Sequence, residues 1–172
     1  MGNMTETLDR SSELYNTPLE LGIRALIVLT AVRKKDSSTP NFDLNRLIIY
    51  DYLLVHSGDV NGPSSIHPAT PYRSGELLVK ADVLRKGLNL MKSKQLVDIN
   101  FESSGITYSA SGLAALFLNY FDSSYYLNLK KVAEWLALNY SSYSDEELNH
   151  LIKNNMGVWG SEFKHESLFI NI

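Results

Sequence analysis

Apolar residues recur along the chain at two spacings, and each change of spacing marks a new element. PLELGIRALIVLTAVRKK, from residue 18, is apolar nearly all round. Thr17 can accept from the first free N–H groups, Pro18 suits the first helical position, Glu20 completes a capping box, and Lys34 and Lys35 complement the C-terminal end. A helix over 18–33 follows, central in the fold because it has no polar face to turn to water. After DSSTPN, Asp43 caps a second densely apolar helix, LNRLIIYDYLLVHS, which stops before Gly58. A loop rich in Gly, Pro and Ser follows over residues 56–76. Ser74 then opens a third helix in which Leu77, Ala81, Leu84, Leu88 and Met91 form a stripe at spacings of four and three.

The period then drops to two. VDINF at 97–101 and ITYSA at 106–110 alternate around the turn ESSG, the pattern of a β-hairpin. Helical spacing returns with Leu113, Leu116, Phe117 and Tyr120, and again with Leu129, Val132, Ala133 and Leu136. Ser144 and Glu147 form a further capping box. The expected fold is mainly α with a small β-hairpin. Three helices with a hairpin directly after the third is the winged-helix plan, in which the third helix enters a groove and the hairpin flanks it. Residues 1–15 read as a flexible N-terminal segment, 16–121 as a winged-helix-like domain, and 122–172 as a C-terminal helical extension packed on the same core.

Composition narrows the function. The 172 residues contain no cysteine, which removes disulfides, thiolate zinc sites and cysteine nucleophiles together. The N-terminus has neither a basic n-region nor an apolar h-region, and the longest apolar run, 25–30, is too short to span a bilayer, so a cytoplasmic protein away from the membrane is expected. The formal net charge of −3 argues against coating nucleic acid by charge alone. Between residues 73 and 96, however, Arg73, Lys80, Arg85, Lys86, Lys92 and Lys94 face only Glu76 and Asp82. These six bases are the candidate DNA contacts, as phosphate ligands on a recognition helix; the other reading is an ordinary polar face opposite the apolar stripe. The hairpin carries no Lys or Arg and is not expected to grip phosphate by itself.

Candidate chemistry concentrates in the loop. His56, Asp59 and His67 are metal-capable residue types, but their spacing matches no helical or finger motif, so no metal site is expected. Ser57, Ser64, Ser65 and Ser74 lack a G-x-S-x-G elbow, and the chain has neither a P-loop nor G-x-G-x-x-G. No catalytic residue is assigned and no cofactor is expected. Ten tyrosines and two tryptophans, crowded toward the C-terminal third, are residue types that anchor protein interfaces. Tyr125, Tyr126, Trp135, Tyr140 and Trp159 are therefore candidate partner contacts, with core packing as the commoner use.

Four phrases, NTPLELGIRAL, LIIYDYLLVHSGDVNGPSSIHP, YRSGELLVKADVLRKGLNLMKSKQLVDINF and GITYSASGLAALFL, resemble the middle-component proteins of ABC-three-component systems, the small subunit of Lamassu-type anti-phage defence operons. The similarity runs from Asn16 to Tyr120. The resemblance implies a non-catalytic accessory subunit that binds an SMC-like coiled-coil ATPase beside an effector, often a nuclease, and assists the complex in sensing double-stranded DNA. ATP hydrolysis and DNA cutting would belong to the partners. The alternative is a free-standing winged-helix transcription regulator. On the family reading, the 56–76 loop, the part most similar to the family, is expected to be ordered and to shape a binding surface and not a catalytic centre.

Overall fold

The computed structural model describes residues 16–36, 42–68 and 74–155. In chain order these form α1 (Pro18–Lys35), α2 (Leu44–Val55), a 3-10 turn (Ser57–Val60), α3 (Ser74–Ser93), β1 (Val97–Glu102), β2 (Gly105–Ala110), α4 (Ala114–Leu118), α5 (Ser124–Tyr140) and α6 (Asp145–Asn155). The protein is mainly helical with one antiparallel hairpin, as the hydrophobic periods predict. The segment 1–15 lies outside the described residues.

The helix starts are those encoded locally. Thr17 accepts from the N–H of Glu20, and Asp43 from that of Arg46. The Ser144 and Glu147 capping box closes in both directions, each backbone N–H donating to the other residue's side chain. Glu20 differs from its expected role. Its carboxylate accepts from the hydroxyls of Tyr125 and Tyr126 on α5, so a residue read as a local cap ties two helices together.

Position in the fold follows from the apolar pattern. Every α1 residue from Leu21 to Leu29 is buried, and α1 lies against α3 and α5 most extensively, and against α2 and β2. On α3 the stripe Leu84, Leu88 and Met91 is buried. Two glycines set how closely α1 and α3 cross. A Cβ on Gly22 would lie 2.7 Å from the Gly87 carbonyl oxygen, and one on Gly87 would lie 2.3 Å from the Pro18 carbonyl oxygen. Any side chain at either position meets backbone, which cannot rotate away.

The hairpin register pairs Val97 with Ala110, Ile99 with Tyr108, and Phe101 with Ile106. Gly105, at φ +130°, closes the turn in a conformation that residues with a Cβ rarely adopt. Phe42, between α1 and α2, exchanges two backbone hydrogen bonds with Tyr108 and so covers part of the outer edge of β2. The core is one cluster from Leu21 to Ile152, which includes the buried faces of α5 and α6.

Candidate functional site

The most concentrated polar chemistry lies where α1, α2, α3 and α5 meet beneath the loop after α2. Arg24 and Asp51 stand in the most apolar stretches of their helices, and both are almost completely buried. The guanidinium grips the carboxylate with two bonds, Nε to Oδ1 at 2.7 Å and Nη2 to Oδ2 at 2.6 Å. Lys80 enters from α3 with its Nζ 3.6 Å from Asp51 Oδ2. With Glu20 bound to Tyr125 and Tyr126 nearby, the formal charges of Glu20, Arg24, Asp51 and Lys80 cancel. That cancellation lets four ionic groups share a largely buried region.

Burial alone would raise the Asp51 carboxyl, but Arg24 and then Lys80 outweigh it and hold the group below the usual carboxylate range. For Arg24, burial acts to lower the pKa and Asp51 overrides it, so the guanidinium stays charged. His67 brings the loop into the network, its Nε2 3.0 Å from Tyr125 Oη and its ring stacked on that of Tyr125. Tyr125 has one hydroxyl proton, which it donates to Glu20, so His67 Nε2 is the donor in this contact. Burial first, and then the positive charge of Arg24, push His67 down to about 4. It is neutral at pH 7. Burial and the Glu20 carboxylate push Tyr126 up to about 12 and raise Tyr125 likewise.

The loop itself is built into the body over 56–68. Ile66 and His67 both donate their backbone N–H to the Val55 carbonyl, Gly62 donates to Ser57, and the Ser57 hydroxyl donates to the Pro63 carbonyl. His56 is buried beside Tyr52, whose hydroxyl donates to Asp59. Gly62 lies under the ring of Trp135: a Cβ there would be 2.5 Å from the indole. Among the described residues no group of three or more His, Cys, Asp or Glu is placed to hold a metal ion.

The candidate DNA contacts fall into different surroundings. Lys80 departs from the polar face assigned to it: only 13% of its side chain is exposed and it turns toward Asp51. Arg85 and Lys86 are exposed, both beside Asp82, at 4.0 and 2.9 Å. Lys92 reaches to 3.9 Å from Asp98 on β1, and Lys94 is exposed after the end of α3. Arg73 lies outside the described residues. The candidate partner contacts turn inward. Tyr125 and Tyr126 are half-buried against Glu20, Trp135 packs on the loop, and Tyr140 is buried between Trp135 and Tyr143. Trp159 also lies outside the described residues.

Sequence reasoning passed over Arg24 and Asp51, although each is a lone charge inside an apolar helical run, which is a signature of buried pairing. It also missed the apolar side chains that do reach solvent, Phe101 and Ile106 on the hairpin and Leu113, Leu116 and Tyr120 in and around α4.

The central ionic groups of this largely helical protein bind one another, and its hairpin and α4 turn apolar residues outward. A family model, ABC-three component (ABC-3C) system Middle Component 2, matches residues 14–162, and the chain belongs to that family. It is thus one component of a multi-subunit, defence-type system. No curated protein and no solved structure matches the chain. Among the described residues, no helix is long and apolar enough to cross a membrane.

Proposed function

We propose that this middle component is the non-catalytic accessory subunit of an SMC-like ATPase complex of the Lamassu type, bridging or regulating the ATPase and a nuclease-type effector while the complex senses double-stranded DNA in the cytoplasm. The family match over 14–162 is the observation that carries this reading. The non-catalytic part is supported by the way the polar groups are used: Glu20, Arg24, Asp51, Lys80, His67 and Tyr125 are engaged with one another across four helices and a loop. The winged-helix-like plan is supported by the order of elements, three α-helices with the hairpin directly after the third.

Purification of the tagged protein from its native operon, followed by mass measurement of the intact assembly with and without double-stranded DNA, tests the proposal. Recovery of a large coiled-coil ATPase in fixed ratio is the expected result. The competing reading, a stand-alone winged-helix regulator, is favoured by the exposed Arg85, Lys86 and Lys92 on α3 and Lys94 just after it. Recovery of the small protein alone, as a symmetric dimer with tight preference for one DNA sequence, would establish that reading instead.

A further inference from the structure

One face of the hairpin is apolar along its whole length, yet the described residues cover only half of it. The register places Val97, Ile99 and Phe101 opposite Ala110, Tyr108 and Ile106, and directly opposed residues share a face. At the base, Val97, Ala110 and Tyr108 are buried in the core and Ile99 is half-buried. At the tip, Phe101 is 82% exposed and its cross-strand partner Ile106 is 49% exposed. The apolar pattern thus continues past the point where the body formed by the described residues ends. A single exposed leucine such as Leu138 is ordinary, but a cross-strand Phe and Ile pair continuing a buried face is not.

Charge distinguishes among the surfaces that could cover this tip. The hairpin carries two acids and no base: Asp98 lies 3.9 Å from Lys92, and the exposed Glu102, next to Phe101 in sequence but on the opposite face of the strand, accepts from the Thr107 hydroxyl. A nucleic-acid wedge or a membrane anchor of this shape would bring a carboxylate up to phosphates, which repel it. A protein groove with an apolar floor and a basic rim complements both features.

We propose that the tip of the hairpin, with Phe101 and Ile106 as anchors and Glu102 as the charged flank, docks into an apolar, basic-rimmed groove on another protein subunit of the same three-component complex. The inference rests on the accessory-subunit reading and names the surface through which that contact is made. Wild-type, Phe101→Ser, Glu102→Lys and Leu138→Ser chains, each full length and tagged, are expressed from the native operon, and the subunit that accompanies the wild type is quantified. Phe101→Ser is expected to lower its recovery at least tenfold. Glu102→Lys should lower recovery severalfold and in a salt-dependent manner, while Leu138→Ser leaves it unchanged.

Phe101 stands in solvent, so the melting temperature of the Phe101→Ser chain should match the wild type. Should it fall, a further variant, Glu102→Gln, which removes the charge and still offers the Thr107 hydroxyl an acceptor, decides the matter alone. Undiminished recovery with both tip variants overturns the proposal, as does equal loss with Leu138→Ser. Intact recovery with loss of DNA affinity, or with conversion of a dimer to a monomer, overturns it in favour of a DNA wedge or a second copy of this chain. Absence of any accompanying subunit with the wild type overturns the accessory-subunit reading itself.

Discussion

Asp51 neutralises two cations from different helices, and its replacement would leave Arg24 and Lys80 with Glu20 as the remaining anion of the network. Removing one member of a buried ion pair costs about 3–5 kcal/mol, because the remaining charge keeps its desolvation penalty. Asp51→Asn preserves shape and removes the charge together with one of the two acceptor oxygens that Arg24 grips, so it breaks the pair without opening a cavity. At about 2–4 °C per kcal/mol for a chain of this size, its melting temperature should fall by on the order of 10 °C, as read by thermal circular dichroism. A variant that melts with the wild type would show that the network adds nothing net.

His67 makes a pH-dependent contribution whose sign follows from its environment. Its value in the folded protein is about 4, held down first by burial and then by Arg24 and His56, against an ordinary value of 6.5. As pH falls through that interval, the unfolded chain takes up the proton before the folded one does, so acid favours unfolding. The contribution is whole above 6.5, is lost between 6.5 and about 4, and changes no further below. Because the ring is partly open to solvent, the effect between pH 7 and pH 5 is discounted to on the order of 1 kcal/mol. Urea unfolding at the two pH values should show the wild type losing about that much more than His67→Gln; parallel losses would contradict the assignment.

Among the elements, the crossing of α1 and α3 depends on two residues that carry no side chain. Replacing Gly by Ala in a helix ordinarily gains about 1 kcal/mol. Here the added methyl of Gly87→Ala would stand 2.3 Å from the Pro18 carbonyl, so the helices must separate. Overpacking of this kind costs about 1–3 kcal/mol, and the clash with rigid backbone outweighs the propensity gain. Gly87→Ala should therefore be less stable than the wild type in urea, whereas Gly112→Ala, with nothing within 4 Å of its new Cβ, should lack that steric penalty. The hairpin shows the same competition between local and distant effects: Gly105 and the alternating pattern form it, and Phe42 and the body decide how much of its face is covered.

At the scale of the whole molecule, an acidic chain presents a small set of exposed bases on and after α3, and three of them stand beside carboxylates. Arg85 and Lys86 flank Asp82, and Lys92 approaches Asp98. Any contribution of this face to DNA binding should be modest and electrostatic. In the assembled complex, Lys92→Glu with Lys94→Glu should reduce the slope of log affinity against log salt by about 2, since each phosphate contact contributes roughly 0.9. An unchanged slope, measured by fluorescence anisotropy, would remove these two residues from the DNA path.

The sequence by itself determined the order and type of the elements, because caps, turn glycines and hydrophobic periods act over a few residues. Thr17, Asp43 and the Ser144 and Glu147 pair cap the helices they precede, and the two alternating runs pair around Gly105. The placement of α1 at the centre was legible too, since a helix apolar on all sides has only the interior to occupy. Lys80 was less legible. Its spacing from Leu77 and Leu84 sets it at the border of the apolar stripe, but only the arrival of Asp51 from α2 makes burial of its amine favourable. Glu20 was drawn from its local cap by two tyrosines more than a hundred residues away. The tertiary structure alone decided which aromatics face solvent. Tyr125, Tyr126, Trp135 and Tyr140 have the composition of an interface, yet the loop and α1 cover them. Phe101 and Ile106 lie on an apolar face, yet stand beyond the part of it that the described residues cover. Exposure depends on what lies across from a residue, and no local pattern contains that information.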